Sequence, residues 1–128
     1  MRYLLDTHAL LWWWTNDPQL SNTARNLIAD ESHIIFVSAA SAWEIATKHR
    51  LGKLNEVAEA LPRFNELVIA DGFNHLAISY LHALKSGSYT LPHRDPFDRM
   101  LAAQSELERL PLITRDPALS TFNLHTIW

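Results

Sequence analysis

Two short apolar runs, RYLL at 2–5 and IIFV at 34–37, are each followed by a helical pattern, and this alternation continues to the end of the chain. Both runs are apolar at successive positions, as strands covered on both faces are. The first predicted helix covers about 8–14 and stops at Asn16-Asp17-Pro18. Ser21 caps a second, to about Asp30, with Ala24, Leu27 and Ile28 on its apolar side. Ser38 or Ser41 starts a third, through about Leu51, with Gly52 closing it. A helical region at 55–69, interrupted near Pro62, precedes a weak strand at 73–76 and a helix at 79–85. A helix from Pro96 to about Leu110 leads into the strand LIT at 112–114, and a last short strand lies near 125–128. Strands alternating with helices predict an α/β fold with a mostly parallel sheet, in one domain over 1–128. Ligands of such sheets bind beyond the carboxyl ends of the strands.

Composition removes several chemistries. There are no cysteines, so thiolate zinc sites, disulfides and thiol catalysis are excluded, and a cytoplasmic location is expected. Residues 1–14 carry an acid at position 6 and an apolar run too short to span a bilayer, so neither an export signal nor a membrane anchor is expected. A net charge of −3 argues against gripping nucleic acid by global electrostatics, though not against a metal with a local basic rim. Arg94, Arg99 and Arg115 lie beside acids and suit such a rim, or simply face solvent; Arg50 and Lys53 read as a solvated helix face. Trp12, Trp13 and Trp14 point about 100° apart on a helix, so at least one should be exposed or covered by a partner.

The acids stand where such a sheet collects them. Asp6 ends the first strand, where it serves either as a helix cap or, with Thr7 beside it, as an oxygen ligand. Glu44 fits a capping box with Ser41, or an ion pair with Lys48 one turn on; only its helix's origin at the end of the second strand gives it functional weight. In DPFD, Asp95 followed by Pro96 is a helix start, which leaves Asp98 at the third helical position as the freer ligand. Asp116-Pro117 repeats that start just after the strand LIT, so capping and membership of a site both stay open; Asp17-Pro18 has the same dipeptide with no site nearby. Carboxylates gathered on one sheet edge repel unless a cation sits among them, and hard oxygen ligands select Mg²⁺, or Mn²⁺, over zinc. The seven histidines form no zinc-like pair, and His93 reads as a loop residue.

The segments LLDTHALLWW, SAASAWEIATKHRLGKL, DPFDRMLAAQ and LITRDP, in that order, closely resemble the PIN-domain family, and within it the VapC-type toxins of bacterial type II toxin–antitoxin systems. The resemblance covers essentially the whole chain. It implies a three-layer α/β/α sandwich and a Mg²⁺-dependent endoribonuclease. Asp6, Glu44, Asp98 and Asp116 match the family's four acids, and Thr114 its accompanying hydroxyl. Asp6, Asp98 and Asp116 would hold the metal, with Glu44 positioning it or its water. The resemblance also implies an RNA substrate, a homodimer, and a cognate antitoxin that places a helix and a basic residue in the acidic groove. Two other readings compete. A phosphatase built on a strand-end aspartate usually needs a second aspartate two residues on, where this chain has His8. A non-catalytic module whose acidic groove binds a basic peptide is compatible with the tryptophans and the mild acidity.

Overall fold

The computed structural model describes all residues, 1–128. Its strands are β1 (Arg2–Leu5), β2 (Ile34–Ser38), β3 (Asn74–Leu76), β4 (Leu112–Ile113) and β5 (Thr126–Ile127), all parallel, in the order β3-β2-β1-β4-β5. Six helices accompany them: α1 (Thr7–Trp14), α2 (Asn22–Ala29), α3 (Ala39–Arg50), α4 (Phe64–Ala70), α5 (Tyr80–Ser88) and α6 (Pro96–Glu108). The helical region expected over 55–69 divides into 3₁₀ turns at Asn55–Val57 and Leu61–Arg63 before α4 begins. No helix is long and apolar enough to cross a membrane.

Period-two alternation splits the core. Tyr3 and Leu5 of β1, Ile35 and Val37 of β2 and Ile113 of β4 point to one face, against buried side chains of α1, α2 and α4. Leu4 and Leu112 point to the other, against Leu101 and Ala102 of α6 and Leu119 and Phe122 beyond β4. The result is the three-layer α/β/α arrangement, with helices covering both faces of the sheet. IIFV is less enclosed than its composition suggests, because Ile34 at its start is exposed.

Local sequence sets several boundaries. Ser21 and Ser38 cap α2 and α3 by accepting hydrogen bonds from the amides of Ala24 (3.0 Å) and Ala40 (2.9 Å). Gly52, at φ 77°, ends α3, with its own amide and that of Lys53 bonding back to the carbonyls of His49 and Lys48. The three consecutive tryptophans each find their own cover, contrary to the expectation of an exposed one. Trp12 meets Trp128 edge-on, Trp13 lies against Phe73 and Trp14 against Phe64, and the indoles of Trp13 and Trp14 both donate to Asp71 Oδ2. The exposed tryptophan is Trp43.

The strand order creates a switch point. From β1 the chain moves outward to β2 and β3, then returns to β4 on the other side of β1. The connections therefore diverge between the carboxyl ends of β1 and β4, where an open parallel sheet leaves a crevice.

Candidate active site

Asp6 stands at that crevice. Its backbone amide donates to Ile113 O of β4 (3.0 Å), which fixes it beside the end of the neighbouring strand. It precedes α1, yet its side chain makes no capping bond. Instead Asp6 Oδ2 accepts a 2.7 Å hydrogen bond from Thr114 Oγ1, 108 residues away. Thr7, expected to supply a hydroxyl to the site, is turned away and bonded to Ser41 Oγ at 2.9 Å. Thr114 takes that place.

Glu44 projects from α3, which packs against both α1 and α6. Ser38, not Ser41, caps this helix, so Glu44 lies in its second turn and no capping box forms. Only 3 % of Glu44 is exposed. Its Oε2 is held by Lys48 Nζ, the other local partner its spacing allowed. Its Oε1 is the one buried side-chain polar atom in the protein with no hydrogen-bond partner. Leaving such an oxygen unsatisfied costs about 1–3 kcal/mol, so the site is built for a polar or cationic guest.

Asp95 and Asp98 divide as their positions predict. Asp95 Oδ1 caps α6, accepting from the amides of Phe97 (2.9 Å) and Asp98 (3.2 Å). Asp98 carries no capping bond, and its Oδ2 meets His93 Nε2 at 2.9 Å. His93 is thus more than a loop residue: it is the immediate partner of a site carboxylate. The signal was present in HRDPFD, since a third-position carboxylate reaches back over the residues that precede the helix cap.

Asp116 does cap, its Oδ1 accepting from the amide of Ala118 at 2.9 Å. It also belongs to the crevice. Its backbone amide donates to Thr114 Oγ1 (3.1 Å), and Asp6, Asp116, His8, Trp12 and Arg115 line one cavity of about 330 Å³.

Electrostatics ties Asp6, Glu44 and Asp98 into one group. Burial pushes the Asp6 carboxyl above its ordinary range and Glu44 adds to the shift, against the opposing pull of Thr114 and His8. Burial likewise pushes Asp98 up to about 7, with the charges of Asp95, Asp6 and Glu44 reinforcing it and the His93 bond opposing it. Glu44, Asp95 and Asp98 together hold the Lys48 ammonium above its usual value, in spite of the partial burial that pulls it down.

The acids do not close into a ready-made ligand set of three. Each has a private partner that turns one oxygen aside: Thr114 for Asp6, Lys48 for Glu44, His93 for Asp98 and the Ala118 amide for Asp116. A set of carboxylate oxygens with an orphaned Oε1 fits Mg²⁺ or Mn²⁺ in its chemistry.

The three arginines separate. Arg99 faces inward and clamps the loop before α6. Its donors reach Ser86 O (3.1 Å), Tyr89 O (2.6 Å), Leu91 O (3.4 Å) and His93 O (2.9 Å). It is therefore committed to that loop, whereas Arg94 and Arg115 are exposed. Arg99→Ala is expected to lower stability by about 2–3 kcal/mol, because it strands four carbonyls. Limited proteolysis should then cut first within 86–95; unchanged protection there would refute the clamp. Exposed Trp43, next to Glu44 in sequence, meets Phe97, next to Asp98, edge-on at 4.6 Å.

A family model described as the PIN domain matches residues 3–123. The chain belongs to the PIN-domain family. No curated protein matches its sequence. Among solved structures, this PIN domain resembles a chain of the VapBC2 complex from Rickettsia felis bound to a DNA fragment from its promoter. The TM-score is 0.71 at 14 % identity, covering 100 % of this chain and 98 % of the other. It also resembles a chain of a toxin–antitoxin complex from Klebsiella pneumoniae, with a TM-score of 0.53 at 22 % identity over 89 % and 86 % of the two chains. At such identities the likeness is one of fold. The parallel sheet and its flanking layers are shared, and the PIN domain's acids stand at the carboxyl end of that sheet.

Proposed function

We propose that this PIN-domain protein is a metal-dependent endoribonuclease, the toxin of a type II toxin–antitoxin pair. In this reading residues 1–128 act as a single nuclease domain in the cytoplasm, as a homodimer restrained by a small cognate antitoxin. The observation that carries the proposal is the mutual electrostatic influence of Asp6, Glu44 and Asp98, with a buried Glu44 oxygen lacking any partner. Family membership supports a nuclease, and the toxin–antitoxin assemblies among its structural relatives support the partner.

Asp6, Asp98 and Asp116 are the residues to hold Mg²⁺, or Mn²⁺ in its place. The bound cation supplies neutralisation of the phosphate oxygens and a lowered pKa for water. Thr114 keeps Asp6 facing the crevice through its 2.7 Å bond. Glu44 Oε1 accepts a hydrogen bond from the attacking water and orients it toward the phosphorus. Lys48 holds Glu44 through Oε2, which leaves Oε1 as the free acceptor. His93, bonded to Asp98, sets that carboxylate's rotamer and favours its charged form against the burial that opposes it. Arg94 and Arg115 meet the RNA backbone.

The test is direct. The full chain, freed of any antitoxin, should fragment unpaired RNA in Mg²⁺ and leave it intact in excess chelator. Undiminished cleavage in chelator, or none against transfer, ribosomal and messenger RNA in Mg²⁺, would refute the reading.

A further inference from the structure

Beside the acids, the 330 Å³ cavity has a wall built from Trp12, His8 and Arg115. The Arg115 guanidinium carbon lies 4.5 Å from the centre of the Trp12 ring, stacked on its face. The other surfaces of that indole are met by Trp128, edge-on at 5.9 Å, and by the His8 imidazole at 5.6 Å. Arg115 shares its cavity with Asp6 and Asp116 but forms no ion pair with either, and its one side-chain bond goes to Gln19 Oε1 at 3.1 Å. Contact with the indole face and the Gln19 bond, rather than charge pairing, therefore hold its guanidinium plane in place. That plane stands exposed, with most of its five N–H groups free. His8 beside it is exposed as well, with no hydrogen bond of its own, and its ring adds a second flat surface.

We propose that the Trp12–Arg115–His8 wall is a nucleotide subsite, which takes the unpaired base next to the phosphate held by the acids. The inference rests on the ribonuclease reading and adds to it a residue set for substrate choice. Unpaired RNA is recognised by laying bases on aromatic rings and guanidinium planes, while the free N–H groups take phosphate or base-edge oxygens. The cavity's volume suits a single nucleotide and is at the small end of ligand pockets. Asp6 and Asp116 line the same cavity, so a base held there lies beside those acids.

The experiment needs no turnover. Each of the four nucleoside 5′-monophosphates, and ribose 5-phosphate as the baseless control, is titrated into the full chain in Mg²⁺. The indole N–H signal of Trp12, assigned by its loss in Trp12→Phe, is followed by NMR. At least one nucleotide should shift that signal saturably and ribose 5-phosphate should not. Arg115→Lys, which keeps the charge and removes the plane, should weaken binding about tenfold with an unchanged melting temperature, the scale of losing one stacked base. An unmoved Trp12 signal, an equal response to ribose 5-phosphate, or wild-type affinity in Arg115→Lys overturns the subsite. RNA cleavage is measured in parallel. Cleavage without a Trp12 response defeats the subsite alone, and a base-specific response without cleavage defeats the ribonuclease reading alone.

Discussion

Asp6→Asn is expected to reduce RNA cleavage by at least about 10³-fold, a loss of about 4 kcal/mol of transition-state stabilisation. The substitution keeps the shape of the side chain and the bond from Thr114 Oγ1, but it removes the negative charge at the centre of the cluster. That charge is costly in the metal-free protein, since burial and Glu44 both push the Asp6 carboxyl toward its protonated form. The variant should therefore melt at the same temperature as the parent or higher. Loss of activity with retained stability is what distinguishes a catalytic carboxylate from a structural one. Matched melting curves and cleavage rates check both halves. A variant that cleaves within tenfold of the parent would remove Asp6 from the chemistry.

The second large effect concerns Asp98 and pH. Burial, with help from its acidic neighbours, lifts its carboxyl from an ordinary value near 3.8 to about 7. Between those values the folded protein keeps a proton that the unfolded chain has released. Folded stability consequently falls as pH rises through this window, and the full penalty is present above about 7. Asp98→Asn removes that penalty. In chelator at pH 8 the variant should be more stable than the parent by about 1–3 kcal/mol, a range reduced to allow for solvent screening of the partly exposed group. At pH 4 the two should coincide. Thermal melts at both pH values check this, and an equal offset at both would contradict it. The same titration makes cation uptake release a proton near neutrality, so affinity for Mg²⁺ should climb as pH passes 7.

Much of this arrangement could be read along the chain, because the forces concerned act within a turn or two. The strand runs, the serine caps at 21 and 38, the glycine stop at 52 and the division of labour between Asp95 and Asp98 all follow from local hydrogen bonding and periodicity. The position of Asp6 at a strand's end followed from the same patterns. What stayed hidden was set by contacts distant in sequence. Sequence proximity pairs Thr7 with Asp6, and only the β1–β4 pairing brings Thr114 alongside Asp6 while Thr7 bonds to Ser41. The Arg99 guanidinium looks like surface charge until the 86–93 loop folds its carbonyls around it. The tryptophan run appeared to need either an exposed ring or a partner protein, since a single helix cannot aim three neighbours at one core. Separate covers from Trp128, Phe73 and Phe64, all remote in sequence, meet that need within the chain.

Mn²⁺ binding followed by electron paramagnetic resonance puts the whole account at risk in one titration. The parent chain should take up the ion saturably at pH 7.5. Asp6→Asn and Asp98→Asn should each bind at least tenfold more weakly, while Asp30→Asn, whose carboxylate bonds only to neighbouring Ser32 and His33, should match the parent. If all four proteins bind alike, or the parent does not bind, then these acids do not form a cation site and the proposed hydrolysis has no basis.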